Sequence, residues 1–278
     1  MKKLFDELAY EVSRKTTEKY STSFSLGILA LKPNIRNSIY AIYGYVRLAD
    51  EIVDSFQGYD RKRLLSRLHL ETDCALEEGI SLNPILQSFQ ETVHKYAIDR
   101  DLINQFLHSM SMDLKKLDYN SALYNEYIYG SAEVVGLMCL QVFTEGNKQR
   151  YEELKPYAMK LGSAFQKINF LRDLKEDYHI LGRTYFPNLN MEVFDNKLKG
   201  QIEDEIHQEF KEAFLGIKKL PKSARFGVYL AYKYYLSLFA KIRKKSSKDI
   251  LENRIRIANT EKAYVAFKSY LRYKAAFL

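Results

Sequence analysis

An all-α fold, with helices packed around a central space, is what this sequence predicts. Three observations lead there. Apolar residues recur at helical spacing along most of the chain, runs of strand-like alternation are scarce, and only 12 Gly and 5 Pro punctuate the sequence. A first helix is expected over 3–18. Lys32-Pro33-Asn34 opens the next, over 35–56, and Gly58 closes it. Helices over 60–78 and 84–96 are separated by Gly79 and Asn83-Pro84; another follows over 99–116. Gly146-Asn147 divides a helix over 121–144 from one over 148–178, and Gly182 marks a break after it. Helices over 199–218 and 224–245 meet at Leu220-Pro221, and a last helix covers 261–276. "STSFSLGILALKP" at 21–33 reads either as a short helix or as a bend, because its Ser and Thr hydroxyls favour caps and turns.

The chain has 278 residues, 46% of them hydrophobic, enough for a sizeable core. With no internal repeat and no low-complexity segment, residues 1–278 read as one continuous domain. Asp6 and Glu7 interrupt any signal-like apolar start, and "VVGLMCLQVF" at 134–143 falls short of the roughly 20 residues that span a bilayer. Cys74 and Cys139 stand alone without metal spacing, so a reduced, cytoplasmic protein is expected. The net charge of +8 is concentrated: residues 241–278 hold eleven Lys and Arg against Asp249, Glu252 and Glu261, which leaves residues 1–240 neutral. Such a basic end is either a solvated helix terminus or a surface for anionic lipid or substrate, and peripheral membrane contact is the partner it suggests. No reading-head motif accompanies it, so no nucleic-acid role is expected.

Two stripes carry the chemistry. In "FQKINFLRDLKED" at 165–177, Gln166, Asn169, Asp173 and Asp177 are spaced three and four apart, on one side of a helix. In "YGYVRLADEIVDSF" at 43–56, Tyr43, Arg47, Asp50 and Asp54 share a similar arc. Each helix thus offers an Asp-x-x-x-Asp pair. One such pair is ordinarily a solvated face or an ion-pair partner, and Arg47 has Asp50 and Asp54 within reach. Two pairs flanked by polar groups in apolar helices are harder to explain that way, because buried carboxylates need a cation. All donors are hard oxygens with amides nearby, and no His or Cys joins them. That suits Mg²⁺ or Mn²⁺ and argues against zinc. Mg²⁺ commonly completes its shell with substrate phosphates, so a diphosphate between the two helices is expected. Neither a Walker loop nor a Gly-x-Gly-x-x-Gly turn is present.

Four blocks together resemble the squalene/phytoene synthase family, most closely its bacterial phytoene synthases. They are "YSTSFSLG" at 20–27, the Asp50/Asp54 block, "YIYGSAEVVGLM" at 127–138, and "LGSAFQKINFLRDLKEDYHILGRTYFP" at 161–187. The resemblance implies a class I isoprenoid synthase helical bundle. It also implies Mg²⁺-dependent head-to-head (1′–1) condensation of two geranylgeranyl diphosphates, through a cyclopropyl diphosphate, to phytoene for carotenoid biosynthesis. By the same resemblance Asp50, Asp54, Asp173 and Asp177 hold Mg²⁺ with help from Asn169, and Arg47, Arg172 and Arg183 neutralise diphosphate oxygens. Tyr43, Tyr129, Gln166 and Tyr185 sit near the reacting head groups, with Tyr129 or the released diphosphate as proton acceptor. Ser21 and Phe24 belong to the substrate-binding set, and Phe24, Val134 and Leu137 line the prenyl tunnel. Glu133 departs from the family, which usually has Gly there; one turn from Tyr129, it is placed to pair with an arginine or to narrow the pocket. From the residues themselves, Tyr129, Ala132, Glu133, Gly136 and Leu140 share one helix face. The alternatives are a squalene or dehydrosqualene synthase using two farnesyl diphosphates, with NADPH only for squalene, and a non-catalytic relative acting as an assembly or binding protein.

Overall fold

The computed structural model describes residues 1–115, 119–177, 183, 185–187 and 194–275. The expected break at Gly182, and the outermost expected helix residues Lys116, Tyr178 and Ala276, lie outside the described residues. So do positions 178–182 and 184 of the block at 161–187.

Among the described residues the regular elements are all helical. In chain order they are α1 (Lys2–Tyr20), α2 (Thr22–Leu29), α3 (Pro33–Asp54), α4 (Arg61–Glu78), α5 (Pro84–Tyr96), α6 (Arg100–Met112) and α7 (Ser121–Ile128). A π-helical segment, Tyr129–Glu133, joins α7 to α8 (Val134–Phe143). There follow α9 (Lys148–Glu176), α10 (Asn196–Lys219), α11 (Arg225–Arg243), α12 (Ser247–Glu252) and α13 (Asn259–Lys274).

Local chemistry sets these limits. Pro33 and Pro84 occupy first-turn positions of α3 and α5, where a missing N–H costs nothing. Asp60, Asn83, Asp99, Asn147 and Asp195 each accept a first-turn backbone N–H of the helix that follows. A cap of this kind stabilises by about 1 kcal/mol. Gly79 ends α4 at φ +70°, a conformation glycine adopts without a Cβ clash. Segment 21–33, open between helix and bend, contains α2. Ser21 caps it by accepting the Phe24 N–H at 3.2 Å.

Two apolar cores form. The first joins α3–α6, α8 and the start of α9, with Tyr45 stacked on Phe89 at 3.9 Å between centroids. The second joins α7, the later turns of α9, α10 and α11. Helix α9 belongs to both: Tyr151 and Leu154 enter the first core, and Ala164, Ile168 and Leu171 the second. The π segment crosses between α6 and α9 at very short range. A Cβ on Gly130 would stand 2.7 Å from the Gln105 carbonyl oxygen, and one on Gly162 would stand 2.7 Å from that of Ala132. Between the cores lies a cavity of about 600 Å³. None of the helices, within the described residues, is long and apolar enough to cross a membrane.

Candidate active site

Helices α3 and α9 define the cavity along its length. From α3 it takes Ile39, Ile42, Tyr43, Val46, Arg47, Asp50 and Asp54; from α9 it takes Leu154, Leu161, Phe165, Gln166, Asn169, Asp173 and Asp177. Both series run from apolar to acidic in chain direction, so both helices deliver their C-terminal ends to the same polar mouth. Asp54 is the last residue of α3, and Asp177 is the C-cap of α9. Helix C-termini carry partial negative charge, which adds to that of the carboxylates and favours a cation. The stretch of α9 from Leu154 to Asp177 spans about 35 Å at 1.5 Å per residue.

The carboxylates respond to this crowding. Burial and then Asp54 push Asp50 up to about 7, against the pull of Arg47. Burial, Asp173 and Asp54 push Asp177 up to about 8. Asp54 of the first stripe therefore acts on Asp177 of the second, and the two acidic helices face one another. Arginines hold the mouth together. Arg47 pairs with Glu51 and lies 3.8 Å from Asp50, with its guanidinium over the Tyr20 ring. Its Nε is buried with no hydrogen-bond partner among the described residues. Arg172 grips Asp173, and Arg254 reaches the same carboxylate at 2.9 Å. Arg183 donates to Asp54 at 2.8 Å and to the carbonyl oxygens of Val53 and Asp113 at 3.1 and 2.9 Å, which ties the segment after α9 to the end of α3.

Among the described residues no three acidic side chains converge as a ready-made metal nest. The donor chemistry nevertheless fits a hard divalent cation. The mouth offers four half-buried or buried carboxylates, two of them raised toward neutral pH by burial and then by neighbouring carboxylates, together with the amides of Gln166 and Asn169 and, among the described residues, neither His nor Cys.

Asp113 escaped the sequence reading. It is buried at the end of α6 and accepts hydrogen bonds from Tyr127 at 2.7 Å and Tyr185 at 2.9 Å; Arg183 stands 3.6 Å away. Burial lifts its carboxyl to about 6, even though Arg183 and the two phenols act in the opposite direction. Arg254 and Tyr235 were missed as well; Tyr235 stacks on Phe165 at 3.8 Å and donates to the Asn169 amide oxygen at 3.2 Å. Nothing in the local sequence marks these residues, because each reaches the site only through tertiary folding.

Of the expected site residues, Ser21, Phe24, Tyr43, Arg47, Asp50, Asp54, Gln166, Asn169, Arg172, Asp173, Asp177, Arg183 and Tyr185 all line the cavity. Tyr129, Val134 and Leu137 do not. Val134 and Leu137 are fully buried in the first core, and Tyr129 packs against it. The physical reason is helical facing: at about 100° per residue Val134 and Leu137 lie on the side of α8 opposite Val135, Gly136, Cys139 and Leu140. Of the face read from helical spacing, Ala132, Gly136 and Leu140 do line the wall, joined by Ser131, Val135 and Cys139, with Tyr127 as the tyrosine of this block. Glu133 is not part of the wall either. The charges acting on it are Glu209, Lys160 and Lys167, with no arginine paired to it among the described residues.

A family model described as squalene/phytoene synthase matches residues 17–261. A chloroplastic phytoene synthase of Daucus carota is 29% identical over 248 residues, covering 82% of this chain and 61% of its own length. Phytoene synthase 1 of Arabidopsis thaliana is 28% identical over 256 residues, covering 84% and 60%. The chain thus spans about three-fifths of the length of these relatives. In fold it matches the crystal structure of a dehydrosqualene synthase with a TM-score of 0.83 at 21% identity, covering 97% of this chain and 98% of that one. It matches a squalene synthase of Alicyclobacillus acidocaldarius with a TM-score of 0.73 at 21% identity, covering 85% and 93%.

Proposed function

We infer the reaction from one premise: this chain belongs to the squalene/phytoene synthase family. It is a prenyltransferase that condenses two prenyl diphosphates head to head. The donors are two geranylgeranyl diphosphates and the product is phytoene, a reading supported by the phytoene synthases among its sequence relatives. The single observation that carries the reaction type is the meeting of two aspartate-bearing helix ends, dressed with arginines, at one mouth of an otherwise apolar cavity.

Asp50, Asp54, Asp173 and Asp177, with Asn169, would hold Mg²⁺. When bound, it would neutralise the diphosphate and make it a better leaving group. The unpartnered Nε of Arg47 is a donor waiting for a diphosphate oxygen. Arg172, Arg183 and Arg254 supply fixed positive charge where negative charge develops on departure. One donor ionises to an allylic cation, and the double bond of the second attacks it. Proton loss closes a cyclopropyl diphosphate. A second ionisation rearranges the ring to the 1′–1 link, and a final proton loss gives the hydrocarbon. Burial pushes the Tyr43 phenol up to about 12, so it stays protonated and serves as a hydrogen-bond donor. Phe24, Phe165 and Tyr235, with centroids 6.0–6.4 Å from Phe24 to the other two, keep water from the cations. With Tyr129 off the cavity wall, the released diphosphate is left as the proton acceptor.

A second reading uses two farnesyl diphosphates and gives dehydrosqualene, or squalene if a nicotinamide hydride is supplied; the solved structures matched in fold carry those names. The test is to incubate the protein with each donor and Mg²⁺, with and without NADPH, and to identify the hydrocarbon. Phytoene from the twenty-carbon donor is expected. Asp54→Asn and Asp173→Asn should each lower turnover by at least a hundredfold with helicity unchanged. Full activity in either variant removes that residue from the mechanism, and no turnover of either donor leaves a non-catalytic binding protein.

A further inference from the structure

Helix α13 turns Ser269, its buried residue, inward and packs along α11. Its opposite side carries Tyr264, Phe267 and Leu271, which are 61%, 63% and 50% exposed. Spaced i, i+3 and i+7, the three form one stripe directed straight out of the molecule. A helix facing water alone would place its charges there. Here the charges flank the stripe instead: at 100° per residue, Lys268 and Arg272 fall on one side and Lys274 on the other.

The surroundings are cationic. Residues 241–278 carry eleven Lys and Arg against three acids, while the rest of the chain is neutral. Two of those acids are already engaged: Glu261 pairs with Lys241, and Asp249 closes the capping box of α12. At the first turn of α13, Lys262 reaches the Thr22 hydroxyl at the start of α2. Helix α2 supplies cavity wall on one side and exposes Leu26 and Leu29 on another.

We propose that α13 is an in-plane anchor for an anionic lipid bilayer, with Tyr264, Phe267 and Leu271 sunk at the boundary of head groups and acyl chains and the flanking Lys and Arg on the head groups. Charge complementarity selects this occupant. A second copy would set two equally cationic faces against each other, which opposes association. The inference does not depend on the reaction assigned to the cavity.

The test is co-sedimentation of the full chain with phosphatidylcholine vesicles, with and without phosphatidylglycerol. Binding to the anionic vesicles, weakened by salt, is expected. The double variant Phe267→Ser/Leu271→Ser should bind at least tenfold more weakly with an unchanged unfolding midpoint, since both side chains are exposed. Lys268→Gln/Arg272→Gln/Lys274→Gln should lose the preference for anionic vesicles. Equal, negligible binding of the parent to both vesicle types overturns the proposal. So does undiminished binding of the Phe267/Leu271 variant. A dimer on gel filtration that this variant dissolves would assign the stripe to a second copy and overturn it too.

Discussion

Asp113 is the buried charge on which the arginine mouth rests. Its two oxygens take the phenols of Tyr127 and Tyr185, and its carbonyl takes Arg183, whose other donors seal Asp54 and the end of α3. Removing one partner of a buried pair costs about 3–5 kcal/mol when the other is left alone. Arg183 would keep Asp54, so Asp113→Asn should lower unfolding stability by roughly 2–3 kcal/mol and turnover by more than tenfold, as read from a denaturant midpoint and a product assay on the same preparation. Glu133 poses a different problem at this scale. Burial and then Glu209 raise its carboxyl from 4.5 to about 7. Below pH 4.5 folded and unfolded chains both bind the proton, and the stability is fully present. Between 4.5 and about 7 the unfolded chain releases it first, so stability falls as pH rises, and above 7 the loss is complete. A tenfold change in proton affinity corresponds to about 1.4 kcal/mol, reduced here by partial exposure. Glu133→Gln should therefore match the parent near pH 4.5 and exceed it by roughly 2 kcal/mol at pH 8. Parallel stability curves would show that this carboxyl does not titrate in that window.

At the scale of elements, the two faces of α8 divide its residues between cavity and core. One face gives Val135, Gly136 and Cys139 to the wall and the other turns Val134 and Leu137 into the core. The π segment before it can lie against α9 only because Gly162 lets α9 approach the Ala132 backbone. Backbone cannot yield as a flexible side chain does, so Gly162→Ala should cost about 1–3 kcal/mol, measurable as a lower urea midpoint with an unchanged slope. Helices themselves were legible from apolar spacing and from Pro33, Gly79, Pro84 and Gly146. The π turn was not, because one extra residue in a turn leaves no mark on composition. Helix α12 went unread for another reason: its six residues are too few to show a period. The two acidic stripes were legible because Asp50/Asp54 and Asp173/Asp177 are each local i, i+4 pairs. Asp113 and Arg254 were not, since Asp113 stands 70 residues from Arg183 and Arg254 stands 78 from Glu176, and only the tertiary fold brings them to the mouth.

For the molecule as a whole, the cavity is a seam. Asp50 and Asp54 end a helix rooted in the first core, while Asp173 and Asp177 end the half of α9 rooted in the second. Four carboxylates meet across that seam; burial first and then neighbouring carboxylates raise Asp50 and Asp177, and Arg47 and Arg183 offset only part of this. A divalent cation with a diphosphate would bridge the two sides and tie both cores to one ligand. Binding confined to the folded state stabilises by about 2.7 kcal/mol at a ligand concentration a hundredfold above Kd. For a chain of this size that raises Tm by roughly 5–10 °C. The expected result is therefore cooperative: Mg²⁺ with inorganic pyrophosphate raises Tm more than the sum of either alone, and a chelator reverses the gain. Asp54→Asn and Asp173→Asn, one from each side, should each abolish the joint shift, read as the change in Tm that ligand adds to each variant's own ligand-free midpoint. An equal shift from pyrophosphate without Mg²⁺ would mean that Arg47, Arg172, Arg183 and Arg254 hold the anion by themselves. The aspartates would then be partners of those arginines rather than ligands of a metal.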